Sequence, residues 1–262
     1  MDKATVGGVM LALGGILVGL LLEGGRLSQV LQPTAALIVF GGTFGAILIQ
    51  FPLTVVVKAF GRLAHIFAAP RIDPLSTVQE LVHYANRARR EGIVSLDAEL
   101  EKIQEPFLKR SLMLAVDGTE PQELRKMMEL ELDNQAEHEE QVPQVFESAG
   151  GFSPTIGIIG AVLGLIQVMQ HLDKIDEVGK GIAVAFVATI YGVGAANLFF
   201  LPASGKLKIR IREEQMVREM ILEGVISILE GMNPRMLESK LLGFLAEAKS
   251  PPSTAPTPEV GS

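Results

Sequence analysis

The sequence predicts an all-α integral membrane protein, four transmembrane helices joined to a helical cytoplasmic domain. Three observations lead there. Residues 4–22, 27–57, 148–172 and 181–205 contain no Asp, Glu, Lys or Arg, and at ~1.5 Å per residue each run can cross a hydrocarbon core of roughly 30 Å. Basic clusters follow two of the runs: Lys58, Arg62 and Arg71 after the second, and Lys206, Lys208, Arg210 and Arg212 after the fourth. The acidic residues gather elsewhere, because residues 58–147 hold 11 basic and 17 acidic side chains, most of the net charge of −7 over 262 residues.

Each element follows from these runs. Backbone amides in lipid must be satisfied within their own segment, so an uncharged run of this length is a helix. The positive-inside bias places both basic clusters in the cytoplasm, and an even number of spans between them agrees. Residues 23–26 then form a tight outer turn, residues 173–180 form the second outer connection, and both termini are cytoplasmic. The first run is too long for a cleaved secretory signal, and Leu20-Leu21-Leu22-Glu23 lacks a small-residue cleavage pattern. The expected organisation is residues 1–57 for spans one and two, 58–147 for a cytoplasmic loop domain and 148–205 for spans three and four. Residues 206–249 are expected to be a cytoplasmic helical extension and 250–262 a disordered tail.

Within the loop, Asp73 is placed to cap a helix with Pro74 in its first turn, apolar Leu75, Val78, Val82 and Ala85 along it, and Gly92 past its end. Ser95 is expected to cap a shorter helix. Residues 106–116 read as a third, stopped by Asp117-Gly118. Thr119 with Gln122 resembles a capping box that opens a long helix through Leu124, Met128 and Leu132. After the fourth span, Ile209, Met216, Met220 and Val225 keep helical spacing, so that helix is expected to continue. The tail, rich in Pro, Ser and Thr, has nothing with which to bury a core.

The composition also excludes chemistry. The absence of cysteine removes disulfides, thiolate metal sites and cysteine nucleophiles, and the acidic balance argues against a nucleic-acid partner. No phosphate-cradling loop, metal-ligand cluster or Ser-His-Asp arrangement suggests an enzyme, and no cofactor is expected.

The four spans carry no carboxylate, lysine or arginine. A membrane proton carrier needs a titrating site, so either the chain moves no protons or a partner lends the acid. His171 ends the third span beside Asp173, a position typical of an interfacial histidine. Ser153, Gly157, Gly160, Ala161 and Gly164 share one face of the third span, and Ala185, Ala188, Thr189, Gly192 and Ala196 form a comparable stripe on the fourth. Such faces serve close packing within the chain or reception of another helix. Thr155, Thr189, Tyr191 and Asn197 offer hydrogen bonds inside the bilayer, although a lone Thr commonly bonds its own helix backbone. Pro154 and Pro202, expected at one cytoplasmic boundary, serve either as helix start and exit or as a pair of hinges.

These residues carry a resemblance. The run Ser153-Pro154-Thr155-Ile156-Gly157-Ile158-Ile159-Gly160-Ala161-Val162-Leu163-Gly164, the run Val187-Ala188-Thr189-Ile190-Tyr191-Gly192 followed by Pro202, and Gly41-Gly42-Thr43 resemble the MotA/PomA family of flagellar motor stator subunits. The resemblance covers residues 1 to about 245. It implies an ion-driven, torque-generating subunit of the bacterial inner membrane, five copies of which surround two copies of a single-span, peptidoglycan-anchored MotB-type partner whose Asp carries the ion. It implies functional prolines at Pro154 and Pro202 and an ion pathway beside Thr189, with Ala161, Thr155 and Tyr191. Sodium-driven members tend to have a threonine where this chain has Ala161, so the implied ion is H+. A Gly-x-x-Ser-Leu segment at 92–96 implies contact with the rotor protein FliG through Arg89, Arg90, Asp97 and Glu99. Taken alone, these charges fit helix ends, with Arg89 and Arg90 at a C-terminus and Asp97 in a first turn.

Two rivals are weighed beside this expectation. TolQ/ExbB-like energiser subunits also surround a single-span partner, but have three spans. A non-conducting membrane scaffold would need no ion pathway at all.

Overall fold

The computed structural model describes residues 3–66 and 73–249. In chain order its helices are α1 (Lys3–Leu22), α2 (Leu27–Val30), α3 (Pro33–Gln50), α4 (Leu53–Ile66), α5 (Pro74–Glu91), α6 (Pro106–Val116), α7 (Pro121–Gln170), α8 (Ile175–Ala195), α9 (Leu201–Leu229) and α10 (Pro234–Lys249). A 3-10 segment, Ile93–Lys102, joins α5 to α6, and a π turn, Ala196–Phe200, joins α8 to α9. Four helices are long and apolar enough to span a membrane: Ala4–Leu22, Pro33–Gln50, and parts of Pro121–Gln170 and Ile175–Leu229. The all-α architecture with four spans is as the sequence implies. Arg71 and residues 250–262 lie outside the described residues.

The chain forms two compact units, Met1–Ala69 with Glu137–Ile211, and Pro70–Ala136 with Arg212–Ser262. Helices α4, α7 and α9 run on past the uncharged stretches and pack there. In the first unit Val56 and Ala59 of α4, Val142, Val145 and Phe146 of α7, and Phe200, Ala203 and Leu207 surround a common core. Phe60 stacks edge-on against Phe146, with ring centroids 5.6 Å apart. Arg62 reaches Glu139 at 2.7 Å, tying α4 to α7.

The second run does not make one span from 27 to 57. Residues 31 and 32 are extended between α2 and α3, and α3 stops at Gln50 because Pro52 cannot donate the hydrogen bond that would continue it. The second outer connection is also shorter than expected. Helix α8 begins at Ile175, with Asp176 and Glu177 in its first turn, where the positive end of the helix dipole favours them. The turn after α1 needs a left-handed residue and takes it at Gly24, φ 79°.

The second unit is a helical domain around Leu81, Tyr84, Leu96, Leu108, Leu112, Leu124, Met128, Met220, Ile221, Val225 and Leu237. Asp73 caps α5 by accepting from the Leu75 amide at 3.3 Å, and Gly92 (φ 85°) ends it, as expected. Val78 and Ala85 are buried, but Leu75 is exposed and Leu81 takes its place facing the core. Ser95 caps no helix. It sits inside the 3-10 segment, its hydroxyl donating to the Gly92 carbonyl at 2.7 Å. The expected capping box at Thr119 also gives way, because α7 begins at Pro121.

Candidate functional site

The inner faces of α7 and α8 meet through their smallest residues. A Cβ added at Gly157 would lie 2.9 Å from the Ala188 carbonyl oxygen, one at Gly164 would lie 2.8 Å from the Gly181 carbonyl oxygen, and one at Gly160 would lie 2.8 Å from the Ala188 Cβ. At Gly192 an added Cβ would meet the Ser153 carbonyl oxygen at 2.6 Å and the Pro154 Cα at 3.2 Å. Backbone this close to backbone leaves no room for a side chain. The Ser153 hydroxyl donates to the Gly192 carbonyl at 3.0 Å in the same contact. Of the two roles open to these stripes, packing within the chain consumes the glycine face. Helix α3 closes the group, with Ala35 and Val39 fully buried against Val187 and Ala188, while Gly42 is crossed by the Ile156 side chain. The Thr43 hydroxyl is buried and donates to the Val39 carbonyl of its own helix at 2.6 Å.

The opposite face of α7 stays open. Ile158, Ile159, Val162, Leu165 and Ile166 are each about half exposed or more, and Thr155 stands on the same face. Ala161 and Thr189 flank the packed stripe, each half-buried beside a contact residue, Gly160 and Ala188 respectively. The Thr155 hydroxyl donates to Phe152 O at 2.8 Å and the Thr189 hydroxyl to Ala185 O at 3.2 Å. Both donors are therefore spent on the helix backbone, which leaves oxygen lone pairs as what each threonine can offer a passing ion or a partner. Asn197 likewise donates to Val193 O at 2.9 Å.

Tyr191 is anchored to the link between α2 and α3. Its hydroxyl donates to the Val30 carbonyl at 2.6 Å and accepts from the Gln32 amide at 3.2 Å, satisfying two groups of the extended link where helix bonds are missing. It is a staple between α8 and the start of α3. His171 lies 3.3 Å from Glu177, with its Nδ1 3.0 Å from the Gln167 carbonyl.

The two prolines are not level. Pro154 packs on Gly192, which precedes Pro202 by ten residues, so at ~1.5 Å per residue the two are offset by roughly 15 Å along the helix pair, nearly three turns. Helix α7 passes through Pro154 without a break. Ahead of Pro202 the backbone widens into the π turn, in which the Leu201 amide donates to Ala196 O. The extra residue relieves the clash that a proline makes with the preceding turn. No feature of composition or spacing marked this π turn. Pro143, also inside α7, was likewise missed; its carbonyl accepts the buried Ser204 hydroxyl at 2.9 Å.

In the second unit, Arg89 and Arg90 end α5 and are exposed, as is Asp97 in the 3-10 segment. Glu99 is not available in the same way. It is paired with Arg87 and with Lys102, the latter at 3.1 Å. The Lys102 hydrogen bond is the largest influence on its carboxyl and, with Arg87, holds it below the usual glutamate range against the opposing effect of burial. Arg87, which also pairs with Glu91 at 3.2 Å, was missed because a third basic residue in one helix turn has no spacing signature of its own.

Comparison with known proteins settles the family. Residues 6–92 match the motility protein A N-terminal family and residues 99–220 the MotA/TolQ/ExbB proton channel family. Motility protein A of Bacillus subtilis (strain 168) is 36% identical over 249 residues, covering 94% of this chain and 91% of that protein. The chain belongs to the motility protein A family. Chemotaxis protein PomA of Vibrio alginolyticus is 30% identical over 249 residues, 95% of this chain and 97% of that one. Among solved structures, C. jejuni MotAB matches with a TM-score of 0.89 at 32% identity, covering 97% of this chain and 99% of that chain. The flagellar MotAB stator complex from Bacillus subtilis matches with a TM-score of 0.86 at 35% identity, covering 95% and 98%. As a motility protein A, the chain is a torque-generating stator subunit of the flagellar motor, and the TolQ/ExbB-like alternative fits less well.

Proposed function

We propose that several copies of this chain, five by resemblance, surround a single-span MotB-type partner, and that the partner's membrane Asp carries the ion. The observation that carries the reading is the acid-free interior: residues 148–172 and 181–205 contain no Asp, Glu, Lys or Arg, while the outer face of α7 presents a broad apolar surface. A charged carboxylate against that surface is costly, and its protonation removes the cost. Several kcal/mol can separate the two states of a buried charge, enough to change the preferred packing of the partner helix against the ring. Thr189 and Ala161 flank the surface that meets this group, and Thr155 stands on its open face. With alanine at 161 in place of a second hydroxyl, the ion is H+.

Residues 58–147 and 206–249 lie in the cytoplasm in this reading, as do both termini of the chain in the bacterial inner membrane. Pro154 and the π turn before Pro202 let α7 and α9 bend as the partner steps. Arg89, Arg90 and Asp97 meet the rotor protein FliG, while Glu99 holds the segment that presents them. Charged surfaces suit such a contact, because they steer encounter and set register without a large buried area.

The test is proton flux in vesicles containing this chain with and without a MotB-type partner. Flux that requires the partner, and is lost when its membrane Asp becomes Asn, is the expected result. Flux from the chain alone would overturn the borrowed-acid reading.

A further inference from the structure

Helix α4 follows α3 after Phe51-Pro52 but does not extend it. Phe60 comes sixteen residues after Phe44, a separation of roughly 24 Å along one straight helix, yet the two rings stand 5.9 Å apart. Nor does α4 fold back beside α3. Arg62 reaches Glu139, which lies about two turns from Phe146 toward the start of α7, away from the uncharged run. The helix therefore crosses the ends of α7 and α9, with Val56 and Ala59 in the core formed with Phe146, Phe200, Ala203 and Leu207.

At about 100° per residue, α4 divides into three sectors. Val55, Val56, Ala59 and Leu63 turn toward that core. Thr54, Lys58 and Gly61 make an exposed polar sector. Between the two runs a strip that is apolar and exposed, made of Leu53 at 66%, Val57 at 63% and Phe60. The contact of Phe60 with Phe44 directs this strip toward the span α3. The last turn of α3 is open as well, with Ile49 90% and Leu48 52% exposed, so the apolar outer surface of the span reaches the point where α4 begins.

An apolar strip that continues the outer surface of a span, and is bordered by a polar strip, matches the boundary between acyl chains and headgroups. We propose that α4 is an interfacial helix. Leu53, Val57 and Phe60 enter the acyl boundary of the leaflet in which α3 ends, while Thr54 and Lys58 stand among the headgroups, Lys58 reaching outward on its four-carbon stem. The core sector and the Arg62–Glu139 pair hold α4 to α7 and α9 together, so the bilayer surface becomes a fixed floor beside the π turn that ends at Phe200. The inference requires only that α3 spans a membrane, and stands whether or not the borrowed-acid reading does.

The chain has no cysteine, so single fluorescent labels can be attached at Val57→Cys or Thr54→Cys without touching the core sector. Each full-length variant is placed in nanodiscs of phosphatidylcholine and phosphatidylglycerol and quenched either by doxyl-labelled lipid or by acrylamide in the water. The label at 57 should be quenched several-fold more by lipid than by acrylamide, and the label at 54 should show the reverse. Equal ratios at the two positions would overturn the proposal. A label at 57 screened from both quenchers, with energy transfer between copies, would give the strip to a second copy of the chain and overturn it too. As a further check, Val57→Glu sets a charge in the strip and should raise acrylamide quenching of a label at Leu53→Cys several-fold; no change there would count against an interfacial α4.

Discussion

The hydroxyl of Ser153 donates to the carbonyl of Gly192 at 3.0 Å, across the tightest approach of α7 to α8. A Cβ at Gly192 would fall 2.6 Å from the Ser153 carbonyl oxygen, so the hydrogen bond and the missing side chain depend on each other. Gly192→Ala is expected to push the two helices apart, at an overpacking cost of ~1–3 kcal/mol. Gly194→Ala meets nothing within 4 Å and is the matched control. Thermal unfolding in detergent separates them: Gly192→Ala should melt lower and swimming should fall with it, while Gly194→Ala stays close to the parent.

Tyr191→Phe removes the bonds to Val30 and Gln32 while keeping the ring beside Phe40, whose centroid is 6.1 Å away. With two part-buried polar groups left unmet, the expected cost is about 1 kcal/mol. Melting temperature should drop with no change in ion dependence, measured as swimming speed against a sodium gradient and against a protonophore. A switch in the driving ion would return Tyr191 to the ion pathway.

The exposed and paired charges of the loop should behave differently. Arg89→Glu is expected to leave the fold intact and impair swimming, with partial recovery from an opposite-sign change on the rotor protein. Glu99→Gln should instead loosen the 3-10 segment, seen as faster amide hydrogen exchange over residues 93–102, and no rotor charge should rescue it.

Acid should weaken the second unit through Glu223. Burial pushes this carboxyl up, but hydrogen bonds from Lys240 and Arg125 outweigh burial and hold it below its ordinary value. Unfolded, it titrates near ~4.3. Its contribution is therefore complete above that pH and is lost as the pH falls through the lower folded value. Stability measured between pH 7 and 3 should fall less steeply in Glu223→Gln than in the parent, and identical slopes would remove Glu223 from the account.

Pro154→Ala and Pro202→Ala should both insert normally. Pro202→Ala removes the reason for the π turn, so it is expected to impair torque more than Pro154→Ala, whose helix is already continuous. Tethered-cell rotation under load makes the comparison.

Much of this architecture was legible in one dimension, because a membrane imposes a simple rule. A chain that cannot hydrogen-bond to lipid must close its own backbone bonds, so uncharged length alone located four helices and basic flanks suggested their direction. Caps at Asp73 and Gly92 were legible for the same local reason, each acting on amides within a few residues. The small-residue stripes of α7 and α8 were legible as faces, but what those faces met was not.

That was decided by tertiary structure. Whether Gly157 receives a foreign helix or Ala188 depends on a neighbour some thirty residues away in sequence, and no local pattern encodes that choice. The staple at Tyr191, the pairing of Glu99 with Arg87, and the π turn ahead of Pro202 have the same character. Each is a polar or steric requirement met across space, where burial makes an unmet group expensive and so forces a partner to be found. The sequence by itself determined which segments are helices and that their interior lacks an acid; only the folded chain decided which side chains are spent holding those helices together and which remain free to act.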